Sequence, residues 1–163
     1  MTDIENNLHW QTFKAITPTS QGVVGMPPFN WAERLGLNEV PDNLPQERLT
    51  RAQVKAICRD KSQDVLFGYI CAMAWGGQGV GITRRHAVSS WNNRNNIKEK
   101  LISLRDHNLS TKDAFDLFSG NNAITGLGVS FFTKLLYFFS GNNFYIMDQW
   151  TAKSINLING HPI

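Results

Sequence analysis

Two closely spaced glycines are the first candidate binding feature of this sequence. Gly126 and Gly128 stand one residue apart, directly before a helical pattern over residues 129–139. Glycine permits the positive φ angles of a tight turn, and the first amides of a helix have no partner within it. The amides of Gly128, Val129 and Ser130 are therefore predicted to face outward, where they favour a phosphate oxygen. A plain turn between two helices is the alternative.

Asp148 is the second feature, because it is the only acidic side chain from Leu117 to Ile163. It follows the apolar residues 144–147 and precedes a helical pattern over residues 150–155. An acid in this position is either the N-cap of a helix or a functional group in a partly desolvated pocket. The two roles are compatible.

Lys134 belongs to a polar stripe on the helical pattern that follows the glycines. The polar side chains recur at positions i, i+3, i+4 and i+7: Ser130, Thr133, Lys134 and Tyr137. Apolar side chains occupy the other positions and form the face that a helix buries. We therefore expect Lys134 on an exposed stripe and not in the core, either as a solvated side chain or as a functional amine.

The glycine turn and the acid together resemble a known family. A hairpin with the spacing of Gly126 and Gly128, followed about twenty residues later by Asp148, resembles the helix-hairpin-helix DNA glycosylases. The segment 126–138 is similar to small bacterial proteins of the 8-oxoguanine DNA glycosylase fold, which are often found beside antiviral defence genes. The resemblance covers roughly residues 62–158 and leaves residues 1–49 unexplained.

The resemblance implies roles for particular residues. Asp148 corresponds to the catalytic carboxylate, and the hairpin binds DNA through Gly126, Leu127, Gly128, Val129 and Ser130. Residues 67–78 resemble the early helix of the family and the loop after it, in which several members carry a Gln that enters the duplex at the flipped base. Gln78 is therefore the predicted wedge.

One position departs from the pattern of the bifunctional members. These enzymes carry a lysine nucleophile two residues after the second hairpin glycine, where this chain has Ser130. The adenine glycosylase branch also has serine there, so the resemblance implies a monofunctional enzyme that uses water as the nucleophile. Lys134 lies one turn further along and keeps a lysine mechanism open. The four-cysteine iron–sulfur motif of some members is absent.

A basic stretch supplies further candidate contacts. Residues 84–105 contain six Lys or Arg against one acid, a net charge of +5 in a chain whose total is +3. We expect part of this stretch to contact the DNA backbone, with Arg84 and Arg85 as candidates, although a solvated face is the common alternative. Trp75 and Trp91 are candidates for stacking on a flipped base, and burial in the core is the alternative for each.

The elements that must position these residues are helical. With 163 residues, of which 42% are apolar, the chain has room for one domain. Five prolines interrupt residues 1–49, which we expect to form an irregular segment packed on the core. From Thr50 onward the periodicity predicts an all-α domain, with Thr50 and Ser62 as N-caps of its first two helices. The resemblance implies that residues 50–163 form a helix-hairpin-helix glycosylase-like domain.

Several classes of protein are not indicated. Cys58 and Cys71 are too few for a disulfide scaffold, and no Cys/His grouping has metal-ligand spacing, so we expect neither metal nor cofactor. The chain shows no signal-peptide pattern and no apolar run long enough to span a bilayer. We therefore expect a cytoplasmic protein with no membrane partner.

The resemblance thus implies that the protein is a DNA glycosylase of base excision. It would flip a modified base out of double-stranded DNA, an oxidised purine or a modified base of phage DNA, and hydrolyse the bond to deoxyribose. The setting is base excision repair or antiviral defence, where defence-system proteins are further partners. The alternatives are a non-catalytic DNA-binding or adaptor module, and a glycosylase/lyase that uses Lys134.

Overall fold

The protein is all-helical in a computed structural model that describes residues 7–15, 24–77, 84–141 and 144–159. Within these ranges there are nine α-helices, one 3₁₀ turn at Gly120–Asn122 and no strand. The helices are α1 Leu8–Ala15, α2 Pro28–Leu35, α3 Arg51–Arg59, α4 Val65–Trp75, α5 Arg84–Asn92, α6 Arg94–Asp106, α7 Thr111–Asp116, α8 Val129–Phe139 and α9 Gln149–Ile158. The all-α prediction is confirmed. None of the helices in the described ranges has the length and apolar character that crossing a membrane requires.

Most helix starts follow from capping residues. Thr50 is the N-cap of α3, as predicted, and it forms a capping box with Gln53. The prediction that Ser62 caps α4 was wrong, because the N-cap is Asp64, whose carboxylate accepts a 2.7 Å hydrogen bond from the Leu66 amide. Ser62 instead donates its amide and hydroxyl to the carboxylate of Asp60.

Helix α4 forms the centre of the molecule. All its residues except Phe67 are buried, and it packs against α2, α3, α6 and α8. A helix that is apolar on every side is stable only when neighbouring helices surround it. The C-terminal end of α4 is therefore a fixed support for the residues that contact it.

Residues before α3 also join the core. Helix α2 packs on α4 and α5 and contributes the buried side chains of Trp31 and Leu35. Upstream of α2, the Met26 amide donates a 3.2 Å hydrogen bond to the carbonyl oxygen of Ala74 at the end of α4. The preceding Gly25 has a φ of +76°, and a Cβ there would lie 2.7 Å from the Trp75 carbonyl oxygen. The division of the chain at residue 49/50 stays a prediction.

Candidate active site

Lys134 and Asp148 line the same cleft. The cleft has a volume of about 570 Å³ and opens where the start of α3, the end of α4, the middle of α8 and the segment before α9 meet. Residues 24 and 25 complete its wall, so the N-terminal part of the chain contributes to this site. The structure thereby brings together the two titratable side chains that the sequence analysis singled out.

Asp148 is the N-cap of α9 and also faces the cleft. Its Oδ1 accepts a 2.8 Å hydrogen bond from the Thr151 amide and lies 3.0 Å from the Thr151 hydroxyl. The helix terminus favours the negative charge of the carboxylate. The capping role and the position in a pocket, which the sequence left as compatible readings, are both present.

A polar contact with α8 positions the backbone before Asp148. The Met147 amide donates a 3.0 Å hydrogen bond to the hydroxyl oxygen of Thr133, and this hydroxyl donates to the Val129 carbonyl at 2.8 Å. The carbonyl of Ile146 lies 3.1 Å from the Thr151 hydroxyl. The segment that carries Asp148 is thus bonded to both helices that flank it.

Lys134 is buried, and the prediction that it lies on an exposed stripe was wrong. Only 8% of the residue is exposed, and its Nζ lies 3.4 Å from the carbonyl oxygen of Gly76 and 4.7 Å from the ring centre of Phe131. Lys134 and Tyr137 of the polar stripe line the cleft, and Thr133 beside Lys134 is buried. The polarity of the helix correctly identified a separate face, but segments distant in sequence cover that face at Lys134.

Burial lowers the pKa of the Lys134 amine. Desolvation lowers the pKa of the amine below its ordinary value of 10.5, and the nearby charge of Asp148 opposes this effect only in part. A lowered pKa increases the fraction of neutral amine near neutral pH, and the neutral amine is the nucleophilic form. The cleft therefore contains an amine suited to attack on an electrophilic carbon and a carboxylate suited to stabilising positive charge.

The two candidate tryptophans have different surroundings. Trp75 lines the cleft but is only 6% exposed, and the Arg51 guanidinium carbon lies 5.3 Å from its ring centre. Trp91 is buried, stacks on Tyr69 with ring centres 5.9 Å apart, and donates its indole N–H to the Asn38 carbonyl at 2.9 Å. These contacts make Trp91 a core residue, which was the alternative reading.

The glycine hairpin packs directly on α5. Gly126 has a φ of +86°, and a Cβ there would lie 2.9 Å from the Ser90 amide nitrogen and still closer to the His86 carbonyl oxygen. The Leu127 amide donates to the Ile124 carbonyl at 2.9 Å, and the Leu127 side chain is buried. Only glycine fits at Gly126, because any side chain would enter the α5 backbone.

The outward part of the hairpin begins at Gly128. This residue is the exposed N-cap of α8, and a Cβ built on it would have no heavy atom within 4 Å. Val129 is exposed, and Ser130 lines a shallow hollow of about 470 Å³ in the surface of the hairpin. The first amides of α8 therefore face an accessible surface, as the phosphate-binding prediction requires.

Most basic side chains of residues 84–105 bind acceptors within the protein. The later members of this stretch bind internal acceptors: Arg94 with Glu39, Lys98 with Asp64, Lys100 with the Leu117 carbonyl, and Arg105 with the carbonyls of Asp60 and Gln63. Arg84 and Arg85 are exposed at the start of α5, the helix on which the hairpin packs. The surface that includes Arg84, Arg85 and the hairpin is thus the more suitable one for a DNA backbone.

Four residues at the cleft were not among the predicted site residues, and one predicted residue is not described by the structure. Gln78 lies outside the described residues. Thr151, Gly76, Arg51 and Tyr145 line the cleft or support its groups, and the sequence analysis did not select them. The Asp-x-x-Thr spacing of a capped helix was a signal for Thr151. Within the described ranges, no group of three or more His, Cys, Asp or Glu side chains is placed to hold a metal ion.

Comparison with known proteins gives one match. Residues 17–160 match the model of the family described as "Putative 8-oxoguanine DNA glycosylase OGG-like protein". No curated protein and no solved structure gives a significant match. The match extends well beyond the segment in which the sequence analysis found a resemblance and includes α2. The chain therefore belongs to the OGG-like family of 8-oxoguanine DNA glycosylase-like proteins.

Proposed function

We propose that this protein is a DNA glycosylase that removes a modified base from double-stranded DNA in the cleft that contains Asp148 and Lys134. The observation that carries the proposal is the presence of a buried amine and a capped carboxylate in one cleft. The family match, in a family whose description names a DNA glycosylase, supports the same class of reaction.

Asp148 would stabilise the transition state. Cleavage of the N-glycosidic bond develops positive charge on the sugar, and a nearby carboxylate lowers the energy of this oxocarbenium-like state. The hydrogen bond from the Thr151 amide, together with the Thr151 hydroxyl 3.0 Å away, holds one carboxylate oxygen, Oδ1, in position. This arrangement keeps the charge in place before the substrate arrives.

Two nucleophiles are compatible with this site. By the family resemblance, Ser130 implies hydrolysis by water in a monofunctional enzyme. The burial of Lys134 and its lowered pKa favour the amine instead. The lone pair of the amine would attack C1′ of the sugar, the base would leave with the electron pair of the glycosidic bond and be protonated, and the nitrogen would lose a proton.

The DNA must be held while the base is extruded. Unstacking costs about a few kcal/mol, which contacts to the phosphates must offset. We propose that the amides of Gly128, Val129 and Ser130 bind one phosphate, that Arg84 and Arg85 bind the backbone nearby, and that Gln78 fills the gap in the duplex.

An excision assay tests the proposal. Duplexes that contain 8-oxoguanine, hypoxanthine or 5-hydroxymethylcytosine are incubated with the protein, treated with alkali and examined for strand breaks. We expect breaks in at least one duplex and a loss of about 10²- to 10³-fold in rate for D148N. Asparagine is also a good N-cap, so D148N should unfold at nearly the same urea concentration as the wild type. Binding without excision of any base would support the adaptor alternative.

Borohydride trapping distinguishes the two nucleophiles. If Lys134 attacks C1′, the C1′–O4′ bond of the sugar then breaks with protonation of O4′ and leaves a Schiff base between Lys134 and C1′. Borohydride reduces this C=N bond to a stable covalent complex between protein and DNA, and elimination of the 3′-phosphate from the Schiff base breaks the strand without alkali. K134A should abolish both the trapped complex and the breaks without alkali. K134R should abolish them too, because arginine keeps the positive charge but has no nucleophilic amine. Excision that depends on alkali, gives no trapped complex and survives in K134A would support the hydrolytic route.

The biological setting is part of the proposal. We propose cytoplasmic action, either in base excision repair or in defence against phages that carry modified bases. A plating assay compares phage growth on cells that express the wild type or D148N. A reduction of phage growth by the wild type that is lost in D148N supports a role in defence. If phage growth is unaffected and only the spontaneous mutation rate of the cells differs, repair is supported.

A further inference from the structure

Tyr145 is the one aromatic side chain of the described cleft lining whose ring is mostly open to solvent. Trp75 and Phe144 are 6% and 8% exposed. The ring of Tyr137 already has the Arg51 guanidinium 5.7 Å from its centre and the Lys55 amine 4.9 Å away. Tyr145 is 78% exposed at the edge of the same cleft.

The backbone around Tyr145 is anchored. The preceding Phe144 is buried, the Ile146 carbonyl oxygen lies 3.1 Å from the Thr151 hydroxyl, and the Met147 amide donates to Thr133. Because this backbone is already held in place, little backbone conformational entropy is lost when a flat ligand packs against the exposed ring. This combination distinguishes Tyr145 from an aromatic side chain on an unattached loop.

We propose that Tyr145 is the stacking surface for the base of the extruded nucleotide. This inference rests on the proposed function and adds the residue that holds the base. Tyr145 lies three residues before Asp148 in the same cleft, so a base attached to the sugar that Asp148 faces comes within reach of the ring. Stacking suits any planar base, because every base has a π-face, and it does not by itself select one.

Two duplexes test this role by direct binding. One contains 8-oxoguanine on a 2′-fluoroarabinose sugar, which resists cleavage, and the other contains a tetrahydrofuran abasic site in the same position. We expect Y145A to bind the first duplex about 5- to 100-fold more weakly than the wild type and the second within about twofold. Y145F keeps the ring and should retain the preference for the duplex that carries the base. Urea unfolding checks that the variants are folded.

Three results would overturn the inference. An equal loss of affinity for both duplexes in Y145A would make Tyr145 a contact to the DNA backbone. Wild-type affinity of Y145A for both duplexes would leave Tyr145 without a role in binding. Equal affinity of the wild type for the two duplexes would show that the cleft does not hold the base. The excision assay with D148N is independent of these results, so the proposed function stands or fails separately.

Discussion

The hydroxyl of Thr133 accepts a 3.0 Å hydrogen bond from the amide of Met147. Each of these residues directly precedes a titratable group of the cleft, since Lys134 follows Thr133 in α8 and Asp148 follows Met147. A single polar contact therefore joins the two backbone segments that carry the amine and the carboxylate. The spacing between these two groups depends on the fold of both segments and on the bond that connects them.

Loss of this bond should reduce both stability and rate. Thr133 is 2% exposed, so water cannot replace its hydroxyl, and T133V would leave the Met147 amide without its acceptor. We expect the free energy of unfolding to fall by about 1–3 kcal/mol and the single-turnover rate of excision to fall with it. Urea unfolding and single-turnover kinetics measure the two effects. T133S, which keeps the hydroxyl, is the matched control, and a T133V protein as fast as T133S would contradict the positioning role.

The pKa of Lys134 predicts a pH-dependent stability. Because burial lowers this pKa below 10.5, the unfolded chain binds more protons than the folded protein between the lowered value and 10.5. The stability that Lys134 costs at neutral pH is therefore recovered as the pH rises through this window. We expect K134M, which keeps a flexible side chain without charge, to be more stable than the wild type at pH 7.

Urea unfolding of the two proteins at several pH values checks this sign. The difference in free energy of unfolding should shrink as the pH approaches 10.5. Parallel curves for K134M and the wild type from pH 7 to pH 10.5 would show that the amine is not desolvated in the folded protein.

The two hairpin glycines should respond differently to alanine. G126A places an alanine at a φ of +86°, with its Cβ within 2.9 Å of the Ser90 amide nitrogen. We therefore expect the free energy of unfolding to fall by about 2–5 kcal/mol. G128A has open space and should cost less than about 1 kcal/mol. Thermal unfolding compares them. If Gly128 is where a phosphate approaches the backbone, G128A should nevertheless weaken DNA binding, and a G128A protein with wild-type affinity would contradict that role.

Local pattern predicted a large part of this fold and site. The bounds of α8 follow from its apolar periodicity, and the start of α3 follows from the Thr50 capping box. Asp148 was predicted at the start of a helix because it stands between an apolar run and a helical pattern, and it is the N-cap of α9. These features depend on residues within a few positions of each other, so the sequence contains them directly.

The burial of Lys134 does not follow from local pattern. Its amine lies against the carbonyl of Gly76, which is 58 residues earlier in the chain, and the cleft wall includes residues 24 and 25. Periodicity separates a polar face from an apolar face, but it does not indicate which distant segment covers the polar face. The exposure of Tyr145 could not be predicted for the same reason, because it depends on how the segment before α9 is anchored.

Gly76 leaves the space that Lys134 occupies. A Cβ at residue 76 would lie 2.7 Å from Cδ and 3.1 Å from Nζ of Lys134, while the φ of −77° suits any residue. We expect G76A to change the free energy of unfolding by less than about 1 kcal/mol, since the flexible lysine side chain moves aside. The displaced amine should slow excision by about 10²-fold, the effect of misplacing a reacting group by roughly 1 Å. Single-turnover kinetics measures the rate, and G141A, an exposed glycine with open space around it, is the control. Equal rates for G76A and G141A would show that the position of the Lys134 amine does not limit the reaction.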